Sequence, residues 1–248
     1  LVTMASGCSP DIVGVLPCGK RPGRDNMTRE LQAGRRGAPS GKTKSLVIVL
    51  HGYGADGNDL LGLADPLQPH MPDTTFIAPD APDKCSGNPY GYEWFPIPWL
   101  DGSSEEAAAK GMAQSADDLN AFIDAKMAEE GVTSSETILM GFSQGTMMSL
   151  HIAPRRAARL AGVVGFSGRL LAPETLEAEV MCRPPVLLIH GDQDQMVPVE
   201  SLPAAADALA KAGFEVFTHI SKGTAHGIAP DGLGVALQFM RQHLAISG

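Results

Sequence analysis

Short, wholly apolar runs separated by longer amphipathic segments dominate the chain from Leu46 onward. Runs without alternation mark strands buried on both faces, and they fall at Leu46–Leu50, Thr74–Ala78, Glu136–Met140, Gly162–Phe166, Val186–His190 and Glu215–Ile220. Helical spacing fills the intervals over Asn58–Leu67, Glu105–Glu130, Gln144–Ala153, Val199–Ala212 and Gly232–Leu244. The longest of these has a capping serine at Ser104, acids in its first turn and Gly131 as a stop. Strands alternating with helices predict an α/β fold with a mostly parallel, doubly wound sheet flanked by helices. Arg29–Ala33 is expected as a short edge strand. Residues 1–26, rich in glycine, proline and small polar residues, are expected as a disordered extension ahead of one domain over 27–248.

The long connection from Pro79 to Ser103 interrupts this rhythm. It holds Tyr90, Tyr92, Trp94, Phe95 and Trp99, although aromatics make up only 5% of the chain. Such a loop serves a binding site or packs as a small satellite core, and one loop can do both.

A net charge of −9 argues against nucleic acid as a partner, because that binding draws on surplus lysine and arginine. No apolar run approaches the roughly 20 residues of a membrane-spanning helix. Cys8, Cys18, Cys85 and Cys182 lack metal-ligand spacing and read as free thiols. With no secretory start, a cytoplasmic location is expected.

Four loops at strand ends carry the candidate chemistry. Gly141-Phe142-Ser143-Gln144-Gly145 lies between a strand and a helix, where a G-x-S-x-G elbow strains the serine and exposes its hydroxyl. Ser143 is therefore the candidate nucleophile. A base and an acid should follow in the order acid, then histidine. Asp194 follows the strand ending at His190, and His226 follows the last strand. Asp192, in the tight turn, is expected to bond local backbone instead. His51 and His190 end strands and suit structural roles. An intermediate oxyanion needs two donors; the backbone N–H of Gln144 supplies one, and that of Tyr53, in the turn after the first long strand, supplies the other.

Two motifs compete. Residues 37–43 look like a phosphate-binding loop but are one residue short, and a strand follows them instead of a helix. Gly52-Tyr53-Gly54-Ala55-Asp56-Gly57 matches the dinucleotide fingerprint, with Asp80 at about the distance, near 20 residues, of a ribose-binding acid. That reading, an NAD(P)-dependent oxidoreductase, leaves the other three loops unexplained.

Taken together, Leu50-His51-Gly52-Tyr53-Gly54, the Ser143 elbow, His190-Gly191 through Asp194 to Val197-Pro198, and Ala225-His226-Gly227 resemble the phospholipase/carboxylesterase family of α/β-hydrolases, which includes acyl-protein thioesterases. The resemblance implies Ser143, Asp194 and His226 as catalytic residues, the Tyr53 and Gln144 amides as oxyanion hole, and no metal or organic cofactor. Relatives often carry leucine where Tyr53 stands, and often form dimers, so a homodimer stays open. The implied activity is hydrolysis of short- to medium-chain carboxylic esters, with lysophospholipids and acyl thioesters as alternatives on the same residues. Trp94, Phe95, Ile97 and Met196 are the expected acyl-binding side chains. The interval between Phe166 and Val186 is too short for a separate lid domain.

Overall fold

A computed structural model describes residues 28–246; the expected disordered extension over 1–26, with Cys8 and Cys18, lies outside them. Its strands are β1 (Ala33–Arg36), β2 (Ser45–Leu50), β3 (Thr74–Pro79), β4 (Asp83–Lys84), β5 (Tyr92–Glu93), β6 (Thr137–Phe142), β7 (Gly162–Phe166), β8 (Val186–Gly191) and β9 (Val216–Ser221). The helices are α1 (Gly57–Leu61), α2 (Ala64–Leu67), α3 (Pro98–Asp101), α4 (Glu105–Glu130), α5 (Gln144–Ile152), α6 (Pro173–Glu179), α7 (Ser201–Lys211) and α8 (Pro230–His243). Seven strands form one sheet in the order β1-β3-β2-β6-β7-β8-β9. Every pairing in it is parallel except that of β1 with β3. β4 and β5 form a separate antiparallel pair.

Strand alternation divides the core between the two faces. Leu46, Ile48 and Leu50 of β2 pack with Leu119 and Ile123 of α4, with α5, and with Leu202 and Leu209 of α7. Val47 and Val49 pack with Leu60 of α1, Leu67 of α2, and Phe239 and Met240 of α8. This two-sided cover is why the strand sequences are continuously apolar. β9 is the exception: as an edge strand it exposes Phe217 and Ile220, so its apolar content is less regular.

The chain runs from β2 outward to β3, then returns across β2 to place β6 on its other side. At such a reversal, the loops leaving the two central strands separate and open a crevice beyond their carboxyl ends. The turn after β2 and the elbow after β6 flank that crevice. α5 follows the elbow and is buried along almost its whole length. Gly145 makes this possible, because a Cβ there would lie 2.0 Å from the Leu50 carbonyl oxygen.

α4 runs over the expected residues, with the Ser104 hydroxyl accepting from the Ala107 N–H and Gly131 closing the helix at φ 70°. Three expectations need correction. The edge strand begins at Ala33, not Arg29, since the Arg29 N–H and guanidinium are taken by the buried Asp118 carboxylate. The helix expected over Asn58–Leu67 breaks into α1 and α2. Pro66 cannot donate to the Gly62 carbonyl and its ring crowds that oxygen. Between β7 and β8 lies α6, not foreseen, although Pro173 at its start and Glu174 in its first turn are standard helix-opening residues.

Candidate active site

Ser143 adopts φ 53° and ψ −115° between β6 and α5, a conformation costly for a side chain with a Cβ. Neighbours hold it there. Its N–H donates to the Phe166 carbonyl at 2.8 Å, and the Thr146 hydroxyl bonds the carbonyls of both Gly141 and Phe166. Gly52, from the turn after β2, comes close enough that an added Cβ would sit 3.3 Å from the Ser143 Cβ.

His226 follows β9, and its Nδ1 bonds Asp194 Oδ2 at 2.7 Å. The Asp194 side chain is wholly buried and also accepts the N–H groups of Met196 and Val197, each at 2.9 Å. Burial pushes its pKa up, but the bonds from His226 and these amides outweigh that, holding it below the ordinary aspartate range. An ionised Asp194 must receive a proton from Nδ1, which leaves Nε2 of a neutral His226 free as an acceptor. The Phe142 ring lies 4.8 Å from the imidazole, centroid to centroid.

Asp192 accepts the Gly223 N–H at 2.7 Å, so its partner is backbone of the loop after β9, 31 residues on, and not of its own turn as expected. His190 is buried, with Nε2 bonding the Val197 carbonyl at 2.9 Å and lying 3.3 Å from Asp194. His51 is also buried. Its Nδ1 faces the Gly52 carbonyl at 2.7 Å while Nε2 accepts the Ala81 N–H at 2.9 Å. Burial lowers its pKa, so it serves as a neutral brace for the turn carrying Tyr53. The N–H groups of Tyr53 and Gln144 meet no protein acceptor among the described residues.

A cavity of about 400 Å³ opens over these groups, lined by Ser143, His226, Tyr53 and Gln144 together with Ile97 and Met196. Trp94 and Phe95 do not line it, which corrects their expected acyl-binding role. Both are buried in the core. The Trp94 indole N–H donates to the His51 carbonyl at 3.0 Å, and its carbonyl accepts the Ser115 hydroxyl. After Pro96 the chain turns outward, and α3 brings Trp99 and Leu100 to the cavity wall in their place. Met147 of α5 also lines it. Met147 stands within an expected helix, where spacing alone does not separate a cavity-lining residue from a core one, and α3 is too short to give a periodic signal.

The dinucleotide fingerprint finds no support in this geometry. Asp80, the expected ribose ligand, instead accepts the Gly57 N–H at 2.8 Å, and Asp56 accepts the Asp59 N–H at 3.0 Å. Two carboxylates thus occupy the end of α1 where a pyrophosphate would have to bind. Residues 37–43 form a turn leading into β2, with no helix to receive phosphate.

Comparison with known proteins points to one family. Residues 37–244 match the profile of the phospholipase/carboxylesterase family. Among curated proteins, the chain is 26% identical to esterase YpfH of Escherichia coli over 208 residues, 82% of this chain and 85% of that one. It is 30% identical to acyl-protein thioesterase 1 of Emericella nidulans over 76% of this chain and 86% of that one. The crystal structure of esterase PE8 superposes with a TM-score of 0.83 at 45% identity, covering 87% of this chain and 100% of that one.

Proposed function

Because the chain belongs to the phospholipase/carboxylesterase family of α/β-hydrolases, we propose that it cleaves short- to medium-chain carboxylic esters through an acyl-enzyme on Ser143. One observation carries this reading: the 2.7 Å bond from His226 to a buried Asp194, with His226 and Ser143 on the wall of one cavity.

In the proposed reaction, His226 Nε2 takes the Ser143 proton as Oγ attacks the ester carbonyl. The resulting oxyanion is held by the Tyr53 and Gln144 N–H groups at the start of α5, whose dipole also favours negative charge there. The imidazolium, stabilised by Asp194, returns its proton to the departing alcohol. Water then enters, gives its proton to His226 and attacks the acyl carbon, and collapse releases the acid and restores Ser143.

Ile97, Leu100, Met147 and Met196 form the apolar wall for the acyl chain. The similarity to a fungal protein named acyl-protein thioesterase favours thioesters as the second reading, and lysophospholipids pass through the same intermediate. A panel of aryl esters and thioesters of graded acyl length separates these. Incubation with a serine-directed phosphonate tests the mechanism: wild type is labelled and Ser143→Ala is not, whereas equal labelling of both removes Ser143 from the scheme. No helix among the described residues is long and apolar enough to cross a membrane. A cytoplasmic location and a homodimer remain part of this proposal, the latter tested by light scattering.

A further inference from the structure

β7 ends at Phe166, beside the elbow, and the chain leaves the sheet through Ser167 and Gly168. Gly168 packs directly on the nucleophile's backbone: a Cβ there would lie 3.0 Å from the Ser143 carbonyl oxygen and 2.4 Å from the Thr146 Cβ. The next residue is Arg169. Its guanidinium carbon sits 4.5 Å from the centroid of the Trp99 ring, and Trp99 is part of the cavity wall.

Arg169 and Arg241 both lack an acceptor among the described residues, each with a buried Nε, but of the two only Arg169 is stacked on a side chain of the cavity wall. Arg29, Arg35, Arg155 and Arg156 each pair with a carboxylate, and Arg159 and Arg183 donate to backbone carbonyls. Arg169 does neither among the described residues, and its Nε is buried with no partner. Stacking on Trp99 offsets part of the cost of half-burying a cation, but it uses none of the guanidinium's five N–H donors. Those donors form a planar fork suited to carboxylate or phosphate oxygens.

We propose that Arg169 is a specificity-determining residue that receives an anionic group, carboxylate or phosphate, carried by the ester substrate. This rests on reading the Ser143 cavity as an esterase site. Asp59, also on the cavity wall, is exposed, so water and salt screen its repulsion of such a group. The anion can reach Arg169 from the acyl part or from the leaving group.

Three aryl esters distinguish these sources: a neutral butyrate, a hemisuccinate of similar length with its charge on the acyl end, and the butyrate of a phosphorylated aryl alcohol. In wild type, kcat/KM for one of the two anionic esters exceeds that for the neutral ester by about 10-fold or more, as expected for a charge-assisted contact. The preference shrinks when salt is raised to about 0.5 M. In Arg169→Met the ratio of anionic to neutral falls to about one, and Arg169→Lys recovers part of it. Because the readout is a ratio on one preparation, a loss of folded protein cancels. Absence of any preference in wild type overturns the proposal, and so does a Met variant in which all three rates fall by one common factor, the mark of a residue that only steadies α3. If none of the esters is turned over and the phosphonate leaves Ser143 unlabelled, the esterase reading itself fails, a result distinct from the other two.

Discussion

The side-chain oxygen of Gln144 accepts the Trp94 N–H at 2.9 Å, and its amide nitrogen donates to the neighbouring Phe95 carbonyl at 2.7 Å. The residue after the proposed nucleophile therefore clamps the loop that leads into α3. Replacing Gln144 with alanine strands two buried backbone groups, at roughly 1–3 kcal/mol each. For a domain of this size the thermal midpoint should drop by about 4–24 °C. kcat/KM should fall as well, because Ile97, Trp99 and Leu100 lose their anchor, while the Gln144 backbone N–H persists. A midpoint within 1 °C of wild type, roughly a quarter of the smallest expected drop, would show that the loop holds itself.

Asp194→Asn should cut kcat by about 10³–10⁴-fold, because an amide in place of the carboxylate favours the wrong imidazole tautomer. The same substitution has a signature in stability. The folded pKa of Asp194 lies below its unfolded value, so its contribution is present above the ordinary aspartate value of about 3.9 and fades as pH falls through the folded one. Urea midpoints of wild type and variant should therefore differ at pH 7 and converge in strong acid. A gap that stays constant down to pH 2, about two units below that value, contradicts the assignment.

The sheet was legible in the sequence because burial on both faces leaves an uninterrupted apolar run for β2, β6, β7 and β8. The proposed triad of Ser143, Asp194 and His226 was legible as a candidate because order at strand ends is a property of the chain. The cavity wall was not. Trp94 and Trp99 are five positions apart in one irregular loop, and nothing local says that Trp94 is fully buried while Trp99 is 60% exposed. That division depends on Ser115 of α4 and on Gln144, both distant in sequence. Arg169 was missed for a similar reason. An unpaired arginine can be recognised only once every possible partner has been placed.

His151 lies at the end of α5, with its Nδ1 buried and no bonding partner. Burial, with a smaller contribution from Arg155, depresses its pKa to about 4. The unfolded chain binds this proton near pH 6.5 and the folded one does not. Stability should therefore be whole above about pH 6.5 and fall on acidification towards pH 4, by at most about 1.4 kcal/mol per pH unit from this group. His151→Leu, which removes an unsatisfied ring nitrogen, should flatten the slope in that window. A denaturation series showing equal slopes for both proteins assigns the effect to other groups.

Gly145→Ala tests the contact on which the elbow depends. The added Cβ would meet the Leu50 carbonyl oxygen at 2.0 Å, its carbon at 2.5 Å and the His51 carbonyl oxygen at 2.8 Å. These are backbone atoms at the end of a central strand and of the residue that follows it, and they cannot swing aside as a flexible side chain can. α5 must therefore move away from β2, carrying the Gln144 N–H and the Ser143 hydroxyl out of register with the turn at Tyr53. Overpacking of this kind costs about 1–3 kcal/mol or more, and a shift near 1 Å at a reacting group costs on the order of 10² in rate. Gly234→Ala is the matched control. It lies within α8, and an added Cβ would meet nothing within 4 Å, so replacing a helical glycine with alanine should leave stability equal or slightly raised. Ester turnover and urea midpoints on both variants decide the matter: if Gly145→Ala matches its control in both, close approach of α5 to β2 is not what holds Ser143 in place.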